Sequence, residues 1–279
     1  MRCPVSLPEA GSQWKRPNLP TMSKHPFHSQ NSALTPDAIP VLGYPVTNVT
    51  MDEAVLRFSS FLEETGLHHI LAVNTNKLWL ASRSPELSQV LHRAEMTIPE
   101  YGPVWASRIL GTPLKANIRG IGLLRTLLPW LETRHVPIYL LGAREEVLST
   151  LLPKLRSSYP RLEIAGARNG YFDAGQEAGI IEDLNSSGAV VLFVAMGSPR
   201  QEFFVERHRA RLRPRVAMGV GGSFDVLAGI KRDAPPWMRH GTEWVYRLFQ
   251  DPTHLWKRYI QAHPWFIYCT LRQKLFGRR

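Results

Sequence analysis

The stretch that decides the fold is Ala189-Val-Val-Leu-Phe-Val-Ala-Met-Gly-Ser-Pro-Arg-Gln-Glu202. Its first half is apolar without alternation, which is typical of a parallel strand covered on both faces. Gly197 ends the run, and Ser198 predicts a helix that begins at Pro199. Gln201, three residues after the serine, completes the Ser-x-x-Gln pattern of a capping box. The strand thus leads into a helix N-terminus, where open parallel sheets bind phosphate-bearing ligands. The alternative is a capped turn that binds no ligand.

Other apolar segments repeat this strand-then-helix pattern along the chain. The further predicted strands are Ala38–Val46, His69–Asn74, Val136–Gly142, Leu162–Arg168 and Arg215–Gly219. Thr50, Asn74 and Ser223 are placed to cap helices, and Asn74 has a ligand role as its alternative. Strands that alternate with helices at this spacing predict an α/β fold, with a Rossmann-like, mostly parallel sheet and helices on both faces.

Length and composition divide the chain into three parts. With 279 residues, 44% of them hydrophobic, it can bury the core of one large domain with appendages. Residues 1–37 are rich in Pro, Ser, His and Asn and predict a flexible leader. Residues 38–230 predict the α/β catalytic domain. Residues 231–279 predict a basic, aromatic-rich, helical C-terminal appendage.

The appendage carries most of the excess positive charge. It holds ten Lys or Arg and three Asp or Glu, a balance of +7 out of the whole chain's +11, together with four of the eight Trp. Helices that mix aromatic residues with cations favour an anionic membrane surface as partner. A basic helix packed on its own domain is the alternative. Nucleic acid is not predicted, because no nucleic-acid-binding module accompanies the charge.

Several function classes are disfavoured. Gly219-x-Gly221-Gly222 lacks the spacing of a dinucleotide fingerprint, and no phosphate-binding GxxxxGK[ST] motif exists. No metal-ligand spacing stands out, so neither a metal nor a cofactor is predicted. Cys3 and Cys269 give no disulfide framework. A membrane-spanning helix and a signal peptide are not predicted either.

Long blocks of the sequence resemble those of the WecG/TagA/CpsF glycosyltransferases. The blocks are Tyr139–Gly142, Gly170–Phe172, Ala195–Glu202, Val220–Gly229 and Ala234–Leu248. The resemblance runs from about Val41 to Tyr259. It implies an inverting, metal-independent enzyme that moves an N-acetylmannosamine-type sugar from a UDP-sugar donor to a polyprenyl-diphosphate-linked sugar. It also implies a cytoplasmic protein attached peripherally to the inner face of the cell membrane, and a homo-oligomer is compatible with it.

The resemblance also assigns site residues. Gln201 and Asn74 match donor-pocket positions, and Glu100 stands where the family has its proposed general-base aspartate. Glu100 lies in a turn framed by Pro and Gly, which can hold a carboxylate over a cleft; a surface loop is the alternative. Helix N-termini at the glycine loops of Gly142 and Gly221 are expected to stabilise the diphosphate.

The cations of the expected site depart partly from the family pattern. Asn117 replaces the arginine thought to meet the donor diphosphate, and Arg119, on the same face of an extended segment, is the predicted substitute. Arg239 and Arg247 of the appendage are expected to add positive charge. Further departures are Ala72, Tyr101 and Gly122. These departures leave three alternatives. The chain could belong to a subgroup with another donor or acceptor, or be a non-catalytic binder of sugar nucleotides or lipid diphosphates. The third and lowest-ranked alternative is an enzyme that acts on UDP-sugars without transfer.

Overall fold

The computed structural model describes residues 38–238, 242–250 and 252–276, without the side chains of Pro236, Arg247, His254 and Leu255. The predicted leader, residues 1–37, lies outside the described residues. The first described element is an antiparallel hairpin, β1 (Ala38–Val41) with β2 (Tyr44–Thr47). The single strand predicted over Ala38–Val46 was therefore wrong. Leu42 and Gly43 both have positive φ, 52° and 85°, so two residues reverse the chain in the middle of the apolar run.

Six parallel strands form the central sheet, in the order β4-β3-β8-β7-β5-β6. They are β3 (His68–Val73), β4 (Met96–Pro99), β5 (Ile138–Gly142), β6 (Ile164–Arg168), β7 (Val191–Ala195) and β8 (Val216–Gly219). The sequence predicted five of them. It missed β4, whose sequence Met-Thr-Ile-Pro is interrupted by a threonine and ends in a proline, so it shows no continuous apolar run.

Helices cover both faces of the sheet, which confirms the predicted α/β class. They are α1 (Met51–Glu63), α2 (Thr75–Ala81), α3 (Pro85–Arg93), α4 (Tyr101–Leu110), α5 (Gly120–Thr133), α6 (Glu145–Ser158), α7 (Glu177–Ser186), α8 (Arg200–His208) and α9 (Ser223–Leu227). Helices α1, α5, α6 and α9 pack on one face. Helices α2, α3 and α4, with the hairpin, and α7 and α8 pack on the other. Apart from the edge strand β6, every residue of these strands is buried, which explains the apolar sequences of β5 and β7.

Helix starts agree with the sequence in two places and differ in two. Thr50 and Asn74 cap α1 and α2 as predicted, each accepting a backbone N–H three residues ahead. The capping box at Ser198 was wrong: Pro199 is the N-cap of α8, and Gln201 is turned into the protein instead of back toward the helix start. Ser223 is not a cap either, because its hydroxyl donates to the Val220 carbonyl and Gly222 takes the cap position.

Two further helices, α10 (Glu243–Gln250) and α11 (Pro252–Phe276), follow a short 3-10 turn at Pro236–Met238. Helix α11 packs across α2 and α4, and its Phe266 ring lies 6.2 Å from that of Trp105. No helix within the described ranges is both long enough and apolar enough to cross a membrane. The appendage thus lies against the helices that follow β3 and β4.

Candidate active site

A cavity of about 260 Å³ lies at the carboxyl ends of β3 and β4. Its first wall comes from the starts of α2 and α4, namely Asn74, Thr75, Asn76, Glu100, Tyr101 and Gly102. Its second wall comes from the appendage, namely Glu243, Trp244, Arg258, Tyr259, His263, Phe266 and Ile267. Trp105 of α4, with Asn117 and Arg119 ahead of α5, completes the lining. The carboxyl edge of a parallel sheet is the expected place for a ligand.

Glu100 is held by hydrogen bonds at both carboxylate oxygens. Its Oε2 accepts from the Asn74 side-chain amide at 3.0 Å, and its Oε1 accepts from the Gly120 backbone N–H at 3.2 Å. Glu100 directly follows β4 as Asn74 follows β3, and Val73 pairs with Pro99, so the parallel register brings the two side chains together. Gly120 is the first residue of α5, and a helix N-terminus favours a nearby anion. The carboxylate therefore has a fixed orientation beside the cavity.

The starts of α2 and α4 approach each other closely at this point. A Cβ added to Gly102 would lie 2.2 Å from Thr75 Oγ1, a distance that real structures do not show. Only a glycine allows this contact without a shift of the neighbouring chain. Gly102 therefore keeps the two helix starts, and with them Asn74 and Glu100, within hydrogen-bonding distance.

Arg119 lines the cavity within a network of charges. Asp233 Oδ1 lies 2.5 Å from Arg119 Nη2, and the two oxygens of Glu243 lie 2.7 Å from Nε and 3.0 Å from Nη2. Arg125 binds the second oxygen of Asp233 at 2.6 Å. Burial alone would lower the pKa of Arg119, but the two carboxylates outweigh it and raise that pKa above the usual range. Burial likewise opposes ionisation of Asp233, yet Arg119 and Arg125 lower the pKa of its carboxyl.

Gln201 lies beneath the loop after β8 and is absent from the cavity lining. Its side chain is buried, with Oε1 accepting from the Gly221 N–H at 3.1 Å and Nε2 donating to Glu202 at 2.9 Å. Glu202 in turn pairs with Lys77 at 2.7 Å. This chain of contacts ties α8 and the Gly221 loop to α2.

Gly142 is distant in the sheet from these groups. It ends β5, and a Cβ there would lie 2.6 Å from the Ala195 backbone of β7. Its position is thus set by strand packing. The structure brings Asn74, Glu100 and Arg119 into one cavity, places Gln201 and Gly221 together, and leaves Gly142 apart from both groups.

The appendage wall contains the packed rings of Trp244, Tyr259 and His263, which the sequence did not assign to the site. The Trp244 and His263 ring centroids lie 4.9 Å apart, and those of Tyr259 and His263 lie 5.2 Å apart. His263 Nδ1 lies 3.1 Å from the Tyr259 carbonyl, which can only accept, so Nδ1 carries the proton. Burial lowers the pKa of His263, which keeps the ring neutral near pH 7. The spacing of Tyr259, His263 and Phe266 along one helical face is the signal that could have revealed this wall.

Two predicted site residues cannot be placed. Arg239 lies outside the described residues, and the Arg247 side chain does too, although its backbone belongs to α10. The cation that the described part of the appendage contributes is Arg258. Groups of three or more His, Cys, Asp or Glu side chains arranged to hold a metal ion do not occur in the described part of the chain.

Comparison with known proteins agrees with the blocks quoted above. The model of the glycosyl transferase WecG/TagA/CpsF family matches residues 39–279. The chain belongs to this family.

Two relatives carry the same name, N-acetylglucosaminyldiphosphoundecaprenol N-acetyl-beta-D-mannosaminyltransferase. The protein of Bacillus spizizenii is 31% identical over 231 residues, which cover 80% of this chain and 88% of the relative. The protein of Bacillus subtilis is 32% identical over 207 residues, covering 74% and 79% of the two chains. As a WecG/TagA/CpsF family member, the chain is a glycosyltransferase by family, and cell-wall polysaccharide synthesis fits these relatives.

Some of the positions expected to depart from the family pattern lie at the cavity of this WecG/TagA/CpsF chain. Asn117 and Tyr101 line it, and the Asn117 Oδ1 is buried without a hydrogen-bond partner among the described residues. Ala72 lies close to Gly120, which binds the Glu100 carboxylate: a Cβ added to Gly120 would be 3.3 Å from the Ala72 methyl group. These positions therefore lie at or behind the wall that holds the Glu100 carboxylate.

Proposed function

We propose that this protein transfers an N-acetylmannosamine-type sugar from a UDP-sugar to a polyprenyl-diphosphate-linked sugar, with inversion at the anomeric carbon. The family membership and the name that the two relatives share support the reaction class and the lipid-linked acceptor. The observation that carries the proposal is the Glu100 carboxylate, oriented by Asn74 and Gly120 at the wall of a cavity.

In the proposed mechanism Glu100 is the general base. An acceptor hydroxyl within about 2.6–3.2 Å of a carboxylate oxygen gives its proton to Glu100 as the oxygen attacks the anomeric carbon. One bond forms between that carbon and the acceptor oxygen, and the bond to the UDP oxygen breaks on the opposite face. UDP leaves with the electron pair. The two hydrogen bonds hold the Glu100 carboxylate in one orientation for this step, so little reorganisation is needed.

Charge on the leaving diphosphate needs positive groups or oriented dipoles nearby. Arg119 and Arg258 line the cavity, and α4 and α5 begin beside it. Arg239 and Arg247 are proposed to add to them, with Asn74, Gln201, Gly142 and Gly221 shaping the donor pocket. We propose that these groups act without a metal ion; transfer that stops with EDTA and returns with Mg²⁺ would contradict this.

We propose further that the appendage docks on an anionic membrane surface. The described part of the appendage exposes large apolar side chains: Trp237, Phe249, Ile260, Leu275 and Phe276 are each more than half exposed. Such side chains beside cations suit the interface of an anionic bilayer. Co-sedimentation with phosphatidylglycerol vesicles, but not with phosphatidylcholine vesicles, is the expected result. Equal binding to both would contradict an electrostatic contribution.

The experiment that tests the reaction is transfer from UDP-N-acetylmannosamine to a polyprenyl-diphosphate-N-acetylglucosamine acceptor. Wild-type protein should release UDP only when the acceptor is present. Glu100→Gln should keep its fold and lose transfer by roughly a hundredfold or more. Glu86→Gln, which alters an exposed glutamate in the first turn of α3, serves as the control and should retain full activity.

Three results of this experiment would contradict the proposal in different ways. Unchanged transfer by Glu100→Gln would exclude Glu100 as the base. Donor binding without any turnover would indicate a sugar-nucleotide binder. UDP release that does not depend on acceptor would indicate hydrolysis rather than transfer.

A further inference from the structure

The cavity-facing arginine already contacts two carboxylates. Asp233 lies along one edge of the Arg119 guanidinium, and Glu243 lies along the edge formed by Nε and Nη2, at 2.7 and 3.0 Å. Arginine binds carboxylate and phosphate through the same planar set of donors. The Glu243 carboxylate therefore occupies a position on Arg119 that a phosphate group of a ligand could also take.

The two carboxylates differ in their relation to the cavity. Asp233 bridges Arg119 and Arg125 and is not among the residues that line the cavity. Glu243 belongs to the first turn of α10, lines the cavity together with Arg119, and its side chain is 18% exposed. Asp233 is thus part of the support behind Arg119, whereas Glu243 is its partner on the side that a ligand would approach.

Charge balance shows what Glu243 does to an incoming anion. Arg119 and Arg125 carry two positive charges, and the Asp233 and Glu243 carboxylates that contact Arg119 carry two negative charges, so the charges of this cluster of four described side chains sum to zero. A diphosphate that enters the cavity gains little attraction from a neutral cluster and is repelled by the carboxylate nearest to it. If the Glu243 side chain turns away, Arg119 keeps Asp233, and a phosphate group restores the balance.

We propose that Glu243 competes with the diphosphate of the sugar-nucleotide donor for Arg119. Donor binding then requires exchange of one anion for another on the same guanidinium, and the return of Glu243 assists the departure of UDP after transfer. The inference rests on the proposed function, because it takes a nucleoside diphosphate sugar as the ligand of this cavity. It assigns Glu243 a role in setting donor affinity and product release.

Binding of UDP to the full chain, measured by titration calorimetry, tests the inference. Glu243→Gln removes the charge and keeps the shape, so UDP should bind roughly three- to tenfold more tightly than to wild type. Inorganic pyrophosphate should show the same direction. Glu243→Ala should behave alike, with circular dichroism and thermal unfolding confirming that both variants are folded.

The competition predicts a specific coupling between two residues. Arg119→Ala should weaken UDP binding, and adding Glu243→Gln to Arg119→Ala should give no tightening, because the contested group is gone. Glu86→Gln changes the same charge in the first turn of α3, where the glutamate is exposed, and should leave the UDP affinity unchanged.

The outcomes separate this inference from the proposed function. If wild type binds UDP and Glu243→Gln binds it equally or more weakly, the competition is overturned. Glu243 would then serve to hold α10 against Arg119. Tightening that persists in the Arg119→Ala background overturns it as well, since Arg119 would not be the contested group. If wild type binds neither UDP nor UDP-sugars, the proposed donor is rejected, and the inference is rejected with it.

Discussion

Replacing Lys77 with methionine should destabilise the protein strongly, although Lys77 lies outside the cavity. Lys77 Nζ lies 2.7 Å from Glu202 Oε1, and the two side chains are only 4% and 0% exposed. The same oxygen accepts from the Gln201 amide at 2.9 Å, while Glu202 Oε2 is buried and has no hydrogen-bond partner among the described residues. Lys77→Met therefore removes the cation and leaves the buried Glu202 carboxylate with the Gln201 amide as its one described donor.

Removing one partner of a buried ion pair costs about 3–5 kcal/mol, because the remaining charge has lost its compensation. For a protein of this size, each kcal/mol corresponds to a fall in Tm of about 2–4 °C. The expected loss for Lys77→Met is therefore about 6–20 °C. Adding Glu202→Gln removes the uncompensated charge and keeps an acceptor for Gln201, so the double variant should be more stable than Lys77→Met alone.

Urea unfolding followed by circular dichroism measures these differences. Lys115→Met is the matched control, because Lys115 makes a 2.8 Å pair with Glu53 in which both side chains are more than 40% exposed. That substitution should cost less than about 1 kcal/mol. Equal effects of Lys77→Met and Lys115→Met would refute the reasoning from burial. A double variant less stable than Lys77→Met would refute the reasoning from uncompensated charge.

Three further changes have definite expected outcomes. Asn74→Ala should cost about 1 kcal/mol in urea unfolding through loss of the α2 cap, and should lower kcat at least tenfold because Glu100 loses a donor. Gly102→Ala should cost about 1–3 kcal/mol from its clash with Thr75 Oγ1, and a Thr75→Ala background should recover part of that loss. Burial, with Arg209 and Lys77 adding to it, lowers the pKa of His69 to about 3, so folding opposes its protonation. As the pH is lowered from about 6.5, the free energy of unfolding should therefore decrease by roughly 1.4 kcal/mol per pH unit. Urea titrations at successive pH values measure this decrease, and it should be smaller for His69→Asn.

The parts of the fold that the sequence predicts are those with local signals. The apolar run before Gly197 is long enough to indicate a strand covered on both faces, and β7 spans Val191–Ala195 within it. Strand β4 reads Met-Thr-Ile-Pro without a continuous apolar run, and its burial comes from neighbours remote in sequence, such as the hairpin whose Thr47 side chain contacts Thr97. Its existence is decided by tertiary contacts, which no short window of sequence contains.

The candidate site shows the same division between local and distant information. The family resemblance points to Asn74 and Glu100 separately, and both are found at the cavity. Their mutual hydrogen bond depends on β3 and β4 being neighbours in parallel register, with Val73 opposite Pro99. Strand order is a property of the whole sheet, so the pair could be predicted only once the topology was known.

Arg119 shows most clearly why the charge counted along a sequence differs from the charge arranged in space. The excess of +7 in residues 231–279 includes Asp233 and Glu243 as negative charges of the appendage. In the structure both contact Arg119, at a sequence distance of more than a hundred residues. These two carboxylates therefore contact an arginine of the α/β part, although the sequence counts them within the appendage. The ion pairs also cross the boundary predicted near residue 230, so that the segment that closes the cavity is joined to the sheet by charge as well as by the packing of α11.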